Sequence, residues 1–174
     1  MKFTCDTNVL VDVLRDPSAE QAFGTFLSRF SHLTYLSAVV ILELRAGART
    51  PGQVKLLEQE VVQRFARADR VFTPSADAFS AAGKLLATLA DREGWTADAH
   101  PSLVHDALLA ASCRESGVIL ITRDRDFGRF KSLLRGWRFV APWPEVSQRR
   151  SSSIARARRG CRLPRLRSGP GPAV

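Results

Sequence analysis

Four carboxylates stand at positions where a purely structural role is hard to assign: Asp6, Glu43, Asp106 and Asp124. Asp6 closes the short β-prone run KFTC and is followed by Thr7-Asn8, where helical spacing begins. Side chains at the carboxyl ends of parallel strands face the crevice where open α/β sheets bind ligands; a helix N-cap is the other reading of this position. Asp124 follows the apolar run VILIT by one residue, with Asp126 close behind. Ordinary turn chemistry is the alternative for both. Glu43 and Asp106 are anomalies of another kind. On a helix the same-face neighbours of Glu43 are Val39, Val40, Ala46 and Gly47, and those of Asp106 are Leu103, Leu109, Ala110 and Cys113. An unpaired carboxylate on such a stripe is costly. For Glu43 an ion pair with Arg45 or another basic residue would remove that cost.

Two strand ends and two helix faces thus offer one carboxylate each, and all four can converge on one crevice. Without a cation the cluster would be self-defeating. Two carboxylates ~5 Å apart repel by roughly 3 kcal/mol at an effective dielectric near 20. An all-oxygen set, with no thiolate or imidazole, selects a hard ion, Mg²⁺ or Mn²⁺. Such an ion keeps water in its coordination shell and supports in-line hydrolysis of a phosphodiester, with no serine or cysteine nucleophile required.

The elements that must position these groups follow from periodicity. Lys2–Asp6, His32–Leu36, Val71-Phe72, Val118–Thr122 and Trp137–Val140 read as strands, the last at a sheet edge. VILIT, apolar throughout, suits a strand buried on both faces. Between them, helical spacing covers Thr7–Arg15, Glu20–Phe30, Ala38–Ala48 behind a Ser37 cap, Gln53–Arg67, a helix from Ser75 to about Glu93, a helix from a Ser102 cap to Ser116, and a short helix before Phe130. Gly94 and Gly117 are the expected stops. Strands separated by helices define an α/β fold with a short parallel sheet.

The formal charge of +9 points at first to a nucleic-acid binder. Its location corrects that impression. The eight arginines after Val146 meet no acidic residue, whereas residues 1–146 carry a net charge of only +1. Residues 147–174 are rich in Arg, Ser, Gly and Pro, so they are expected to form a basic, disordered tail on a domain spanning residues 1–146. Any grip on nucleic acid must then come from local basic residues, with Arg15, Arg45, Arg49, Arg123 and Arg125 the candidates near the motifs. Cys5, Cys113 and Cys161 show no metal-binding spacing, and the first two read as small core residues of a reduced compartment. No apolar run reaches the ~20 residues of a membrane span, and a cytoplasmic location is expected.

The segments CDTNVLVDVLR, SAVVILELRAGA, HDALLAAS and ILITRDRDF, in this order and spacing, resemble the signature blocks of PIN-domain ribonucleases, and most closely those of VapC-type toxins of bacterial toxin–antitoxin pairs. The resemblance covers about Met1 to Val146; the basic tail is not part of the pattern. It implies a Rossmann-like three-layer α/β/α sandwich, Mg²⁺ or Mn²⁺ dependence and endonucleolytic cleavage of RNA. It implies homodimerisation and inhibition by a cognate antitoxin that covers the site. Asp6, Glu43, Asp106 and Asp124 fall on the acidic quartet; Thr7, Asn8 and Thr122 fall on polar positions that orient carboxylates or water, and Asp126 on an auxiliary acidic one. Helix Glu20–Phe30, read as exposed and aromatic, and the helix carrying Glu43 are candidates for the antitoxin groove or the dimer face. Two rival enzymes fit less well. A HAD-type phosphatase needs an aspartate where Asn8 stands, and HD phosphohydrolases are all-helical with several histidine ligands, whereas His105 here reads as a surface or supporting residue. The non-enzyme alternative is a module of the same fold that only binds RNA or a protein.

Overall fold

The computed structural model describes residues 1–94, 96 and 100–144. The expected tail, with Cys161, lies outside the described residues. Strand β1 (Lys2–Cys5) buries Phe3, Thr4 and Cys5 and gives way at Asp6 to helix α1 (Thr7–Arg15). Asp16 caps helix α2 (Pro17–Phe30) by accepting from the Ser18 backbone N–H, and Pro17 occupies the first turn, where its missing donor is not needed. Strand β2 (Thr34–Ser37) ends on the expected cap: the Ser37 hydroxyl accepts from the Val39 N–H at 3.2 Å and starts helix α3 (Ala38–Gly47). A reciprocal Thr50–Gln53 capping box opens helix α4 (Pro51–Leu57). The predicted single helix to Arg67 is interrupted by a π-helical turn at Glu58–Val62 before the short α5 (Gln63–Ala66).

Strand β3 (Val71–Phe72) precedes helix α6 (Ala76–Glu93), which Ser75 caps and Gly94 ends at φ +66°. Helix α7 (Pro101–Ser116) stops at Gly117, φ +63°. It starts two residues before the position that a Ser102 cap implies. Pro101, whose ring presets helical φ, takes the first turn, and the preceding His100 makes no side-chain cap, so Ser102 lies inside the helix rather than capping it. Strand β4 (Val118–Ile121), helix α8 (Gly128–Lys131) and strand β5 (Phe139–Val140) complete the described chain.

The five strands are all parallel, in the order β3-β2-β1-β4-β5. Flanked by helices, the sheet forms the α/β/α sandwich that a parallel sheet needs to cover both faces. All four β4 residues are buried, as their uninterrupted apolar character requires. Phe127, Phe130 and Trp137 form one aromatic cluster with ring centroids about 6 Å apart. A second joins Phe3, Phe26 and Phe30, with Trp143 against Phe23 and Phe26 at 5.4 Å. The aromatic stripe of α2 is therefore turned inward, with Phe23 and Phe26 buried, which corrects the expectation of an exposed aromatic helix. Among the described residues no helix is long and apolar enough to cross a membrane.

The strand order places one feature beside the site. From β1 the chain runs outward through β2 and β3, then returns to β4 on the other side of β1. The crevice beyond the carboxyl ends of β1 and β4 is thus the topological switch point, the usual ligand position in open α/β sheets. Asp6 ends one of these strands; Thr122 and Asp124 follow the other.

Candidate metal centre

Pairing of β1 with β4 sets Cys5 opposite Ile121, and the Asp6 N–H extends the ladder by donating to the Ile121 carbonyl at 2.9 Å. The Asp6 side chain is thereby fixed over the switch point, almost fully buried. One carboxylate oxygen accepts from the Thr7 N–H at 2.7 Å, and the other from the Thr122 hydroxyl at 2.7 Å. Asp6 caps α1 from its place beside the switch point, so the two sequence readings are compatible. Thr122 is a hub. While its proton serves Asp6, its oxygen accepts from the Asp124 N–H at 2.9 Å and more weakly from the Asn8 Nδ2 at 3.5 Å. The Asp124 carboxylate in turn accepts from the Asp126 N–H at 2.7 Å, shaping the turn after β4.

Glu43 reaches the crevice from α3. Its pairing with Arg45, one of the alternatives, does not occur: Arg45 makes a two-pronged pair with Glu58. The Glu43 carboxylate instead accepts a short hydrogen bond from the Thr7 hydroxyl and meets His105 Nδ1 at 3.1 Å. His105, left by the sequence as a surface or supporting residue, is the contact that periodicity alone did not locate. It precedes Asp106 on α7, so one helix delivers both.

The electrostatics show which groups share the crevice. Burial pushes the Asp106 carboxyl up to about 7, with further upward contributions from Asp6, Glu43, Asp124 and Asp126. Burial also raises Asp6 to about 6, against the hydrogen bonds from Thr122 and Thr7 and with the help of Glu43 and Asp124. Asp106 thus lies in the field of the four other acidic residues, and Asp6 in that of Glu43 and Asp124, although the predicted quartet comes from four separate segments. The thiols of Cys5 and Cys113 are buried, and burial drives both well above the usual range. They are core residues and contribute no ligand.

The residues fit a hard divalent cation in chemistry more clearly than in ready-made geometry. The donors are oxygens. Among the described residues no arginine or lysine forms an ion pair with Asp6, Glu43, Asp106 or Asp124; the nearest such pairs join Arg123 to Asp12 at 2.7 Å and Arg129 to Asp126 at 3.7 Å. The Asn8 Oδ1 is a buried acceptor without a partner. Yet no three acidic, histidine or cysteine side chains among the described residues stand close enough to form a closed cage. The carboxylates feel each other without sharing a point. That is no obstacle for Mg²⁺, which is held by one or two carboxylates together with water.

A family model described as PIN domain matches residues 3–133. The chain belongs to the PIN domain family. Comparison with curated protein sequences finds no match. Solved structures share the PIN fold at low identity. FitAB bound to a DNA fragment is 20% identical with a TM-score of 0.60, covering 84% of this chain and 99% of that one. DNA-bound VapBC from Salmonella typhimurium is 22% identical with a TM-score of 0.61, covering 81% and 98%. VapBC-1 from nontypeable Haemophilus influenzae is 18% identical with a TM-score of 0.54, again covering 81% and 98%. These likenesses establish the fold of the PIN domain, in which the crevice between β1 and β4 carries the acidic residues described above.

Two grooves flank α1, and only the first borders this crevice. One of about 250 Å³ is lined by Thr7, Val11, Glu43, Leu44, Leu56 and Leu57. A larger one, about 660 Å³, runs between α1, α2 and the π-helical turn past Leu14, Phe23, Leu27 and Val61, and holds none of the site carboxylates.

Proposed function

We propose that this PIN domain is the toxin of a type II toxin–antitoxin pair, a Mg²⁺- or Mn²⁺-dependent endoribonuclease that hydrolyses RNA phosphodiester bonds. The observation that carries this reading is the meeting of acidic side chains at the switch point: Asp6 held by Thr7 and Thr122, Glu43 tied to Thr7 and His105, and the half-buried Asp106 within their field. Asp6, Asp106, Glu43 and Asp124 would hold the metal, with Thr7, Asn8, Thr122 and Asp126 orienting them or water. A bound divalent ion supplies the activation of water and the neutralisation of phosphate charge that hydrolysis requires. The chain's own residues fix the geometry. Thr122 and the α1 N-terminus hold Asp6, while Thr7 ties Glu43 to α1.

Arg15, Arg49 and Arg125 would contact the RNA backbone. Arg45 and Arg123, the other two sequence candidates, are engaged with Glu58 and Asp12. The grooves beside Glu43 and along α2 would receive the antitoxin, and the protein would act as a cytoplasmic homodimer. FitAB and VapBC, named as assemblies, share this fold and support a protein partner. A second reading, a PIN domain that only binds RNA or a partner, is favoured by the absence of a closed cage among the described residues.

Incubation of cellular RNA with the full chain separates the two readings. Cleavage is expected with Mn²⁺ or Mg²⁺ and is abolished by EDTA; RNA retention without metal-dependent cleavage would favour the binding module. We further infer that residues 1–146 are the folded unit and 147–174 a dispensable basic tail. Deleting that tail is expected to leave the melting temperature nearly unchanged, and a fall of several degrees in a thermal scan would show that it packs on the domain.

A further inference from the structure

Glu43 is the site carboxylate with the longest side chain, and it stands on a helix whose outward neighbours Leu42 and Ala46 are exposed. Left alone, such a side chain samples several rotamers. Two donors from two other helices restrict it: the Thr7 hydroxyl on Oε2 and His105 Nδ1 on Oε1 at 3.1 Å. The His105 side chain remains 42% exposed while that of Glu43 is 19% exposed, so the imidazole is not there to fill the core. It lies one residue before Asp106, on the helix that also carries the most strongly shifted carboxyl. We propose that His105 is a positioning residue of the metal centre, its Nδ1–H holding the Glu43 carboxylate in line with Asp6 and Asp106.

The role requires only a hydrogen at Nδ1, which one neutral tautomer and the imidazolium both carry. It ties α3 to α7 across the crevice, so the approach of Glu43 towards Asp106 is set by a hydrogen bond instead of by α3 alone. Partners that orient a metal-binding side chain from outside the coordination shell commonly change metal affinity by about 10- to 100-fold. The inference rests on the metal-dependent reading given above.

The test is calorimetric titration of Mn²⁺ alone into the full-length protein and its His105→Ala and His105→Asn variants. Asparagine places an amide donor near the position of Nδ1. His105→Ala is expected to weaken Mn²⁺ binding about 10-fold and His105→Asn to recover most of the loss. The metal-free melting temperatures of all three should agree within about 2 °C, the range of a substitution that leaves the fold intact. Equal binding by wild type and His105→Ala overturns the proposal. So does an Asn variant no better than Ala, or a weakened affinity that merely follows a fall in melting temperature. Absence of Mn²⁺ binding in the wild type is a different pattern: it removes the metal reading of the site, and the positioning role with it.

Discussion

Replacing Asp106 by asparagine is expected to weaken Mn²⁺ binding and RNA cleavage by more than about 100-fold while leaving the metal-free protein as stable as before, or more so. Most residues of a helix face cannot be changed with that pairing of effects. The adjoining Leu103, Leu109, Ala110 and Cys113 are buried, and truncating one of them would remove packing. Asp106 is different because burial and four neighbouring carboxylates already oppose its charge. Asparagine keeps the shape and deletes one repelling charge from the cluster. Isothermal titration with Mn²⁺ and a thermal scan in EDTA at pH 8 measure the two halves separately. A large fall in the metal-free melting temperature would assign Asp106 a structural role instead.

The second large effect concerns pH. Asp6 and Asp106 titrate near 6 and 7 in the folded protein, against an ordinary value of 3.8. Between about pH 4 and 7 the native state therefore holds protons that the unfolded chain has released. Their contribution to stability is complete below the unfolded value and is lost as pH rises through the folded values. For the deeply buried Asp6 the difference corresponds to ~3 kcal/mol. Urea unfolding in EDTA should show the wild type losing ground to Asp106→Asn as pH rises from 5 to 8. A gap between the two that stays constant over that window would mean that neither burial nor the neighbouring carboxylates raise Asp106 in the folded protein. Added Mn²⁺ should restore stability on the alkaline side, by ~2.7 kcal/mol at 100 times its dissociation constant.

How much of this was legible in the sequence varies with the range of the interaction. Local signals transferred well. The Ser37 and Ser75 caps, the Gly94 and Gly117 stops and the double-sided burial of Val118–Ile121 depend on a few adjacent residues, and all appear in the structure. The α7 start shifted because Pro101 outweighs Ser102, a competition between two local rules. The inward turn of α2 was not legible, since its partners Phe3 and Trp143 come from opposite ends of the domain. Nor was the π-helical turn at Glu58–Val62, where no glycine or proline marks the change.

The candidate site divides in the same way. Its carboxylates were visible as charges on apolar stripes and at strand ends, signals carried by the immediate neighbours. Its supporting bonds were not, because Glu43–His105 and Asp6–Thr122 span 62 and 116 residues. Spacing also could not tell that Arg45 and Arg123 are engaged with Glu58 and Asp12.

The long separation between Asp6 and Thr122 has a kinetic consequence. Closing a loop of this length is among the slower events of folding, because the entropy loss precedes the contacts that offset it. Thr122 meets Asp6 only after β4 has inserted beside β1. A cation that needs both strand ends has nothing to bind before that step. It should therefore slow unfolding without speeding refolding. A chain emerging from the ribosome likewise cannot assemble the site until the turn after β4 has been synthesised and docked.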